Sequence, residues 1–173
     1  MIEVLADATI RGRVAHMEQA VQTQLRGLGG MASRDFKAIL IKEGQLSEVE
    51  ANKVYQNIEQ DGKVDYYMFD SKLNAALKLA KERSKAYRKV IDAVTCNGKL
   101  VCQRLEQQDY NKDGELNIDG FKAALLVRET DCSSSELEEC FYLIANRQVP
   151  QELNYMTWIQ NINVLFLEYF SFR

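Results

Sequence analysis

The sequence predicts an all-α protein, and three observations predict it. One proline and nine glycines punctuate 173 residues, too few for an all-β chain that must turn every ten residues or so. A glycine, an aliphatic residue two places on and an aromatic residue five beyond that recur as Gly29-Met31-Phe36, Gly62-Val64-Phe69 and Gly114-Leu116-Phe121, the mark of an internal repeat. Ser71 to Thr95 is rich in Ala, Leu, Lys, Arg and Glu and free of glycine and proline, which is the composition of one long helix.

A hydrophobic content of 46 % with 27 % charged residues excludes disorder and fibre. The net charge of −3 excludes a chain whose main task is neutralising nucleic-acid phosphates. Its distribution is uneven: residues 1–90 carry 15 Lys/Arg against 12 Asp/Glu, or +3, and residues 91–173 carry 7 against 13, or −6. Lys78, Lys81, Arg83, Lys85, Arg88 and Lys89 supply most of the excess, as a solvated helix face or a surface for an acidic partner. Met1 to Ala8 has two acids and no basic residue before a short apolar run, so no signal peptide is expected. No stretch is long enough to span a bilayer. Cys96, Cys102, Cys132 and Cys140 match no zinc spacing and the single histidine, His16, stands far from them, so they are expected to be buried thiols of an intracellular protein.

Asp109-Tyr-Asn111-Lys-Asp113-Gly114-Glu115-Leu116 places oxygen-bearing side chains at loop positions 1, 3 and 5, glycine at 6, a backbone carbonyl at 7 and an aliphatic residue at 8. This resembles the EF-hand loop, in which such groups cage a hard cation and the glycine permits a sharp turn. Aligned on their aliphatic residues, the other copies begin near 24 and 57, and a fourth near 146 keeps Leu153 and Trp158 but has Gln151 in place of glycine. The separations are 33, 52 and 37 residues. The chain is thus similar to the calmodulin, troponin C and myosin light chain family over roughly residues 14–170. The resemblance implies four EF-hand helix-loop-helix units in two lobes joined by a long helix: an N-terminal pair at 14–80, a helical linker at 81–98 and a C-terminal pair at 99–173. It also implies that Met31 faces Val64 and Leu116 faces Leu153 in two short antiparallel ribbons.

Each element has its own reason. Phe36, Phe69, Phe121 and Trp158 begin the exiting helices and are expected in the core. Ser47-Glu-Val-Glu50 and Ser133-Ser-Ser-Glu136 are capping boxes that open the second unit of each pair. The long helix is expected to run through Ser71–Thr95 and to break at Asn97-Gly98, with a fresh helix from Lys99 to Gln108 entering the third loop. The final helix, from Trp158 to Phe172, is apolar on more than one face, so either it packs wholly within the C-terminal lobe or part of it, through Val164, Leu167, Phe170 and Phe172, meets a partner.

The loops have lost their cation chemistry to different degrees. Position 12, normally a bidentate glutamate, is Gly120 in the third loop; Asp119 comes one place early and points about 100° away at helical spacing. Asp109, Asn111, Asp113 and the Glu115 carbonyl are therefore expected to hold calcium or magnesium at 109–120 with low affinity or not at all, and Gly120→Glu is expected to restore micromolar affinity. Gln24, Arg26 and Leu28 in the first loop, Asn57, Glu59, Asp61 and Met68 in the second, and Asn146, Gln148, Pro150 and Thr157 in the fourth are expected to hold nothing. The second loop fits its entering helix better if it starts at Glu59 and is two residues short. No cofactor is expected.

There is no second histidine, no phosphate-binding lysine after Gly27-Leu-Gly-Gly30 and no nucleophile elbow, so no enzyme is expected. The family resemblance implies a cytoplasmic, non-catalytic light chain or structural subunit of a hetero-complex, gripping an amphipathic helix of a larger protein largely without calcium. Cytoskeletal, motor and axonemal assemblies are among the hosts it implies. No nucleic acid and no membrane insertion are expected. The alternative is a weak calcium or magnesium sensor using the third loop alone.

Overall fold

A computed structural model describes residues 1–28, 31–126, 130–145 and 152–162. They are mostly helical, with nine helices and two small antiparallel sheets, and they divide into two compact units, Met1–Arg83 and the residues from Ser84 onward. No helix among the described residues is long and apolar enough to cross a membrane.

The first unit opens with α1 (Ile2–Ile10), which buries Leu5, Ala6, Ala8 and Thr9 and packs along α5 (Tyr66–Arg83). Reading from the repeat missed this helix, because it precedes the first copy. Helix α2 (Val14–Leu28) is followed by α3 (Ser33–Lys42), which buries Phe36, Ile39 and Leu40. At α4 (Glu48–Gln56) the capping box is complete: the Glu50 N–H donates to Ser47 Oγ and the Ser47 N–H to Glu50 Oε2 at 2.8 Å. The chain then turns sharply. β1 (Glu59–Gln60) pairs antiparallel with β2 (Lys63–Val64), around Asp61 and Gly62 at φ 50° and 77°, the positive pair that a type I′ hairpin requires. The entering helix, expected to include Ile58 before a loop starting at Glu59, stops at Gln56 with Asn57 as its C-cap, and Glu59 opens the hairpin. Val64 N–H donates to the Met31 carbonyl at 3.5 Å and Ala32 bridges Lys63, so Met31 and Val64 do meet. Phe36 and Phe69, both fully buried, pack edge to face with centroids 5.2 Å apart, worth about 0.5–1.5 kcal/mol beyond the area they bury.

The second unit begins at Ser84. Expected as one helix through Ser71–Thr95, the chain instead ends α5 at Arg83 and restarts at α6 (Lys85–Gln108). Ser84, with φ −69° and ψ 118°, caps the new helix by accepting from Tyr87 N–H at 3.0 Å, and its own hydroxyl donates to Glu139. Residues 85–94 are not a separate linker either: Val90 and Val94 lie in the second unit's core with Leu105, Phe121, Phe141 and Trp158. The break expected at Asn97-Gly98 is present as a kink, Asn97 having φ −130° and ψ 32°. Beyond α6 come β3 (Glu115–Leu116), α7 (Ile118–Leu125), α8 (Ser134–Ala145), β4 (Leu153–Asn154) and a helix over 155–162, α9. β3 and β4 are antiparallel with Leu116 opposite Leu153, the expected register. Phe121 lies 5.9 Å from Trp158 between ring centroids.

The cysteines depart from expectation. All four are free thiols, but only Cys140 is buried; Cys102 and Cys132 are half-buried and Cys96 is exposed. Cys96 lies on the same exposed face of α6 as Asp92, away from buried Val94.

Candidate functional site

The third loop is positioned by three elements: α6 delivers Asp109 as its C-terminal cap, α7 starts from the cap Asn117, and β4 leads into α9 through Asn154. The residues singled out as cation ligands follow one another through this turn, and the carboxylates of Asp109 and Asp113 already accept hydrogen bonds within it. Asp109 is 6 % exposed. One of its oxygens accepts from Asp113 N–H at 3.3 Å, the other from Gly114 N–H at 2.9 Å and from the Tyr155 hydroxyl at 3.0 Å. Asp113 accepts from Glu115 N–H at 2.9 Å and from the Asn111 amide at 2.6 Å. Asn111 thus presents its NH₂ to a carboxylate, where a cation needs its oxygen.

The electrostatics follow from these bonds. Burial works to raise the Asp109 carboxyl, but the Gly114 N–H, the Tyr155 hydroxyl and the Asp113 N–H outweigh it and hold the group below its usual range. Burial and the neighbouring Glu152 carboxylate push Glu115 above it. The Tyr155 phenol is pushed up to about 12, by burial first and by its bond to Asp109 second. Gly120 donates its N–H to Asn117 Oδ1 at 2.9 Å and brings no carboxylate to the loop. Among the described residues, no three His, Cys, Asp or Glu side chains are arranged to hold a metal ion together. As arranged, the carboxylates of Asp109 and Asp113 accept from protein donors, and the phenol of Tyr155 holds one Asp109 oxygen. A shallow depression of about 480 Å³ lies over the loop, lined by Glu106, Asp109, Lys112, Asp113, Tyr155 and Met156.

Tyr155 is the residue that the sequence did not reveal. It lies 46 residues from Asp109, at a place where a tyrosine reads as core, and 4 % exposure is consistent with that. Its N–H also donates to the Gly114 carbonyl at 3.2 Å, so one residue ties two points of the loop to α9.

The other expected surface is only partly placed. Val164, Leu167, Phe170 and Phe172 lie outside the described residues. The preceding part of α9 is buried through Trp158, Ile159 and Ile162, and the Trp158 indole N–H is buried without a hydrogen-bond partner among the described residues. The basic stretch is divided by Ser84 and partly spent on local pairs: Arg83 meets Glu3 at 2.9 Å, and Lys89 meets Glu136 at 3.1 Å and the Asp131 carbonyl at 2.7 Å.

In comparison with known proteins, no family model, no curated protein and no solved structure matches this chain.

Proposed function

We propose that the chain is an EF-hand protein of the calmodulin, troponin C and myosin light chain kind that works without calcium. In this reading its four helix-loop-helix units form two lobes, and it serves as a non-catalytic light chain or structural subunit holding an amphipathic helix of a larger protein. The observation that carries the reading is the third loop. It has the ligand spacing of a cation site at Asp109, Asn111 and Asp113, yet its carboxylates are satisfied by protein N–H and O–H groups. A loop closed in this way leaves the helix pair resting on its apolar core, which suits a permanent subunit better than a switch. Cytoplasmic assemblies of the cytoskeletal, motor or axonemal kind are the proposed hosts.

The test is co-purification of the full chain with its partner in chelator. Truncation after Asn163, Leu167→Ser and Phe170→Ser are each expected to release the partner while the far-ultraviolet circular dichroism stays helical. Undiminished recovery from a folded variant counts against a grip through the final helix. Loss of the partner from the unaltered chain on adding chelator would instead support the alternative, a weak calcium or magnesium sensor.

A further inference from the structure

The two units repeat a feature that neither loop pattern contains. Tyr66 stands two residues beyond Val64, and Tyr155 two residues beyond Leu153, so the two tyrosines occupy the same place in their units. Each hydroxyl donates to a carboxylate of the other half of its own pair: Tyr66 to Glu18 Oε1 at 3.0 Å, with Gln22 also on the phenol, and Tyr155 to Asp109 Oδ2 at 3.0 Å. Both acceptors are only 6 % exposed. In the first unit the Gln22 amide also donates to Glu18 Oε1, at 3.2 Å, and the first loop's Gln24, Arg26 and Leu28 include no acid. The phenol–carboxylate tie thus occurs in a unit whose first loop has no acidic ligand at its first, third or fifth position. In the second unit the same tie falls on the residue that leads the cation-ligand spacing.

We propose that the Tyr155 hydroxyl stands in for a divalent cation in the third loop, so that phenol and cation compete for Asp109 and the phenol makes the loop indifferent to calcium. The inference rests on reading 109–120 as a degenerate EF-hand loop. Three carboxylates crowd this turn, Asp109, Asp113 and Glu115, with Glu152 close enough to push Glu115 upward; an internal donor on the most buried of them relieves what a cation would otherwise neutralise. A cation needs Asp109 Oδ2 turned toward it, whereas the phenol holds that oxygen against α9. The phenol stays protonated, and so stays a donor, throughout the neutral range. Its N–H bond to the Gly114 carbonyl keeps the ring in place whether or not the hydroxyl is present.

The experiment compares the full-length chain with Tyr155→Phe and with Tyr155→Phe/Asp109→Asn, without partner, by calcium and magnesium titration in a calorimeter and by thermal unfolding in chelator. Tyr155→Phe is expected to unfold at a lower temperature in chelator, to regain stability when calcium is added, and to bind calcium about tenfold more tightly than the unaltered chain. The double variant is expected to lose that gain. A Tyr155→Phe chain that is unfolded in chelator and refolds with calcium supports the proposal, and one unfolded in both overturns it. So does equal calcium affinity of Tyr155→Phe and the unaltered chain, or a gain that survives Asp109→Asn. Micromolar calcium binding by the unaltered chain would be a different result, overturning its proposed calcium independence; equally weak binding by the two single-chain forms overturns the phenol substitution alone.

Discussion

Leu116 Cδ2 lies 3.0 Å from the point where a Cβ on Gly120 would stand, and Gln108 Cβ lies 3.7 Å from it. The glycine that deletes the closing carboxylate is thus also the residue that lets the ribbon side chain lie close against the start of α7. Gly120→Glu is expected to force Leu116 aside and to cost about 1 kcal/mol, partly offset by a carboxylate in the first turn of α7 above Asn117. The sequence alone leads to an expectation of micromolar calcium affinity for this variant; with Tyr155 still bonded to Asp109, the expectation becomes weaker binding. Thermal unfolding and calorimetry check both halves; micromolar binding by this single variant contradicts the account of the loop.

Phe36 and Phe121 head the third and seventh helices at full burial, in different units. Replacement of either by alanine is expected to destabilise its own unit by about 3–5 kcal/mol. Only Phe121→Ala should alter the fluorescence of Trp158, its ring neighbour. A change in Trp158 emission of equal size in Phe36→Ala would show that the units do not behave separately.

Glu136 is held down to about 2 by the Ser133 N–H first, then by Lys89 and the Ser133 hydroxyl. Its ordinary value is 4.5, and a depressed carboxylate stabilises the fold above that value and loses the contribution as pH falls toward 2. The unaltered chain should lose stability between about pH 4.5 and pH 2 more steeply than Glu136→Gln. Urea midpoints across that range decide the point; parallel curves would remove Glu136 from the acid response. Ser133→Ala is expected to cost about 1 kcal/mol at neutral pH.

Ser84→Ala removes the cap of α6 and leaves Glu139 without its hydroxyl donor, an expected loss of about 1–2 kcal/mol. Ser84→Thr keeps a hydroxyl at the same place and should recover most of it in chemical unfolding. Equal losses for the two variants would mean that packing around the site, and not the hydroxyl, sets the effect.

The parts of the fold that were legible in the sequence are those fixed by local chemistry. Gly62 and Gly114 sit at positive φ where the register needs a sharp turn, and the serine–glutamate spacing at 47–50 and 133–136 is enough to close both capping boxes. Leu116 opposite Leu153 followed from counting. What was hidden depends on residues far apart or on a local contest between good helix formers. Ser84 stands among Lys, Arg and Ala, so propensity favours an unbroken helix there; its cap bond to Tyr87 N–H and its burial reverse that preference. The free thiol of Cys96 is exposed because helical spacing puts it on the face of Asp92 and turned from Val90 and Val94. The site was half legible: the spacing located Asp109, Asn111 and Asp113, but nothing along the chain announces that a tyrosine 46 residues on bonds the first of them.

The turn at Asp61-Gly62 separates the two ribbons in time as well as in length. β1 and β2 are joined by two residues, so they can meet within microseconds of the chain collapsing, and the hairpin then offers Lys63 and Val64 as a ready edge to Ala32 and Met31. β3 and β4 have no such start. Leu116 and Leu153 are 37 residues apart, and closing that span costs entropy that only docked helices repay. The first unit is therefore self-starting at its second loop, whereas in the second unit the ribbon forms late, as a record that α7 and α8 have already found each other.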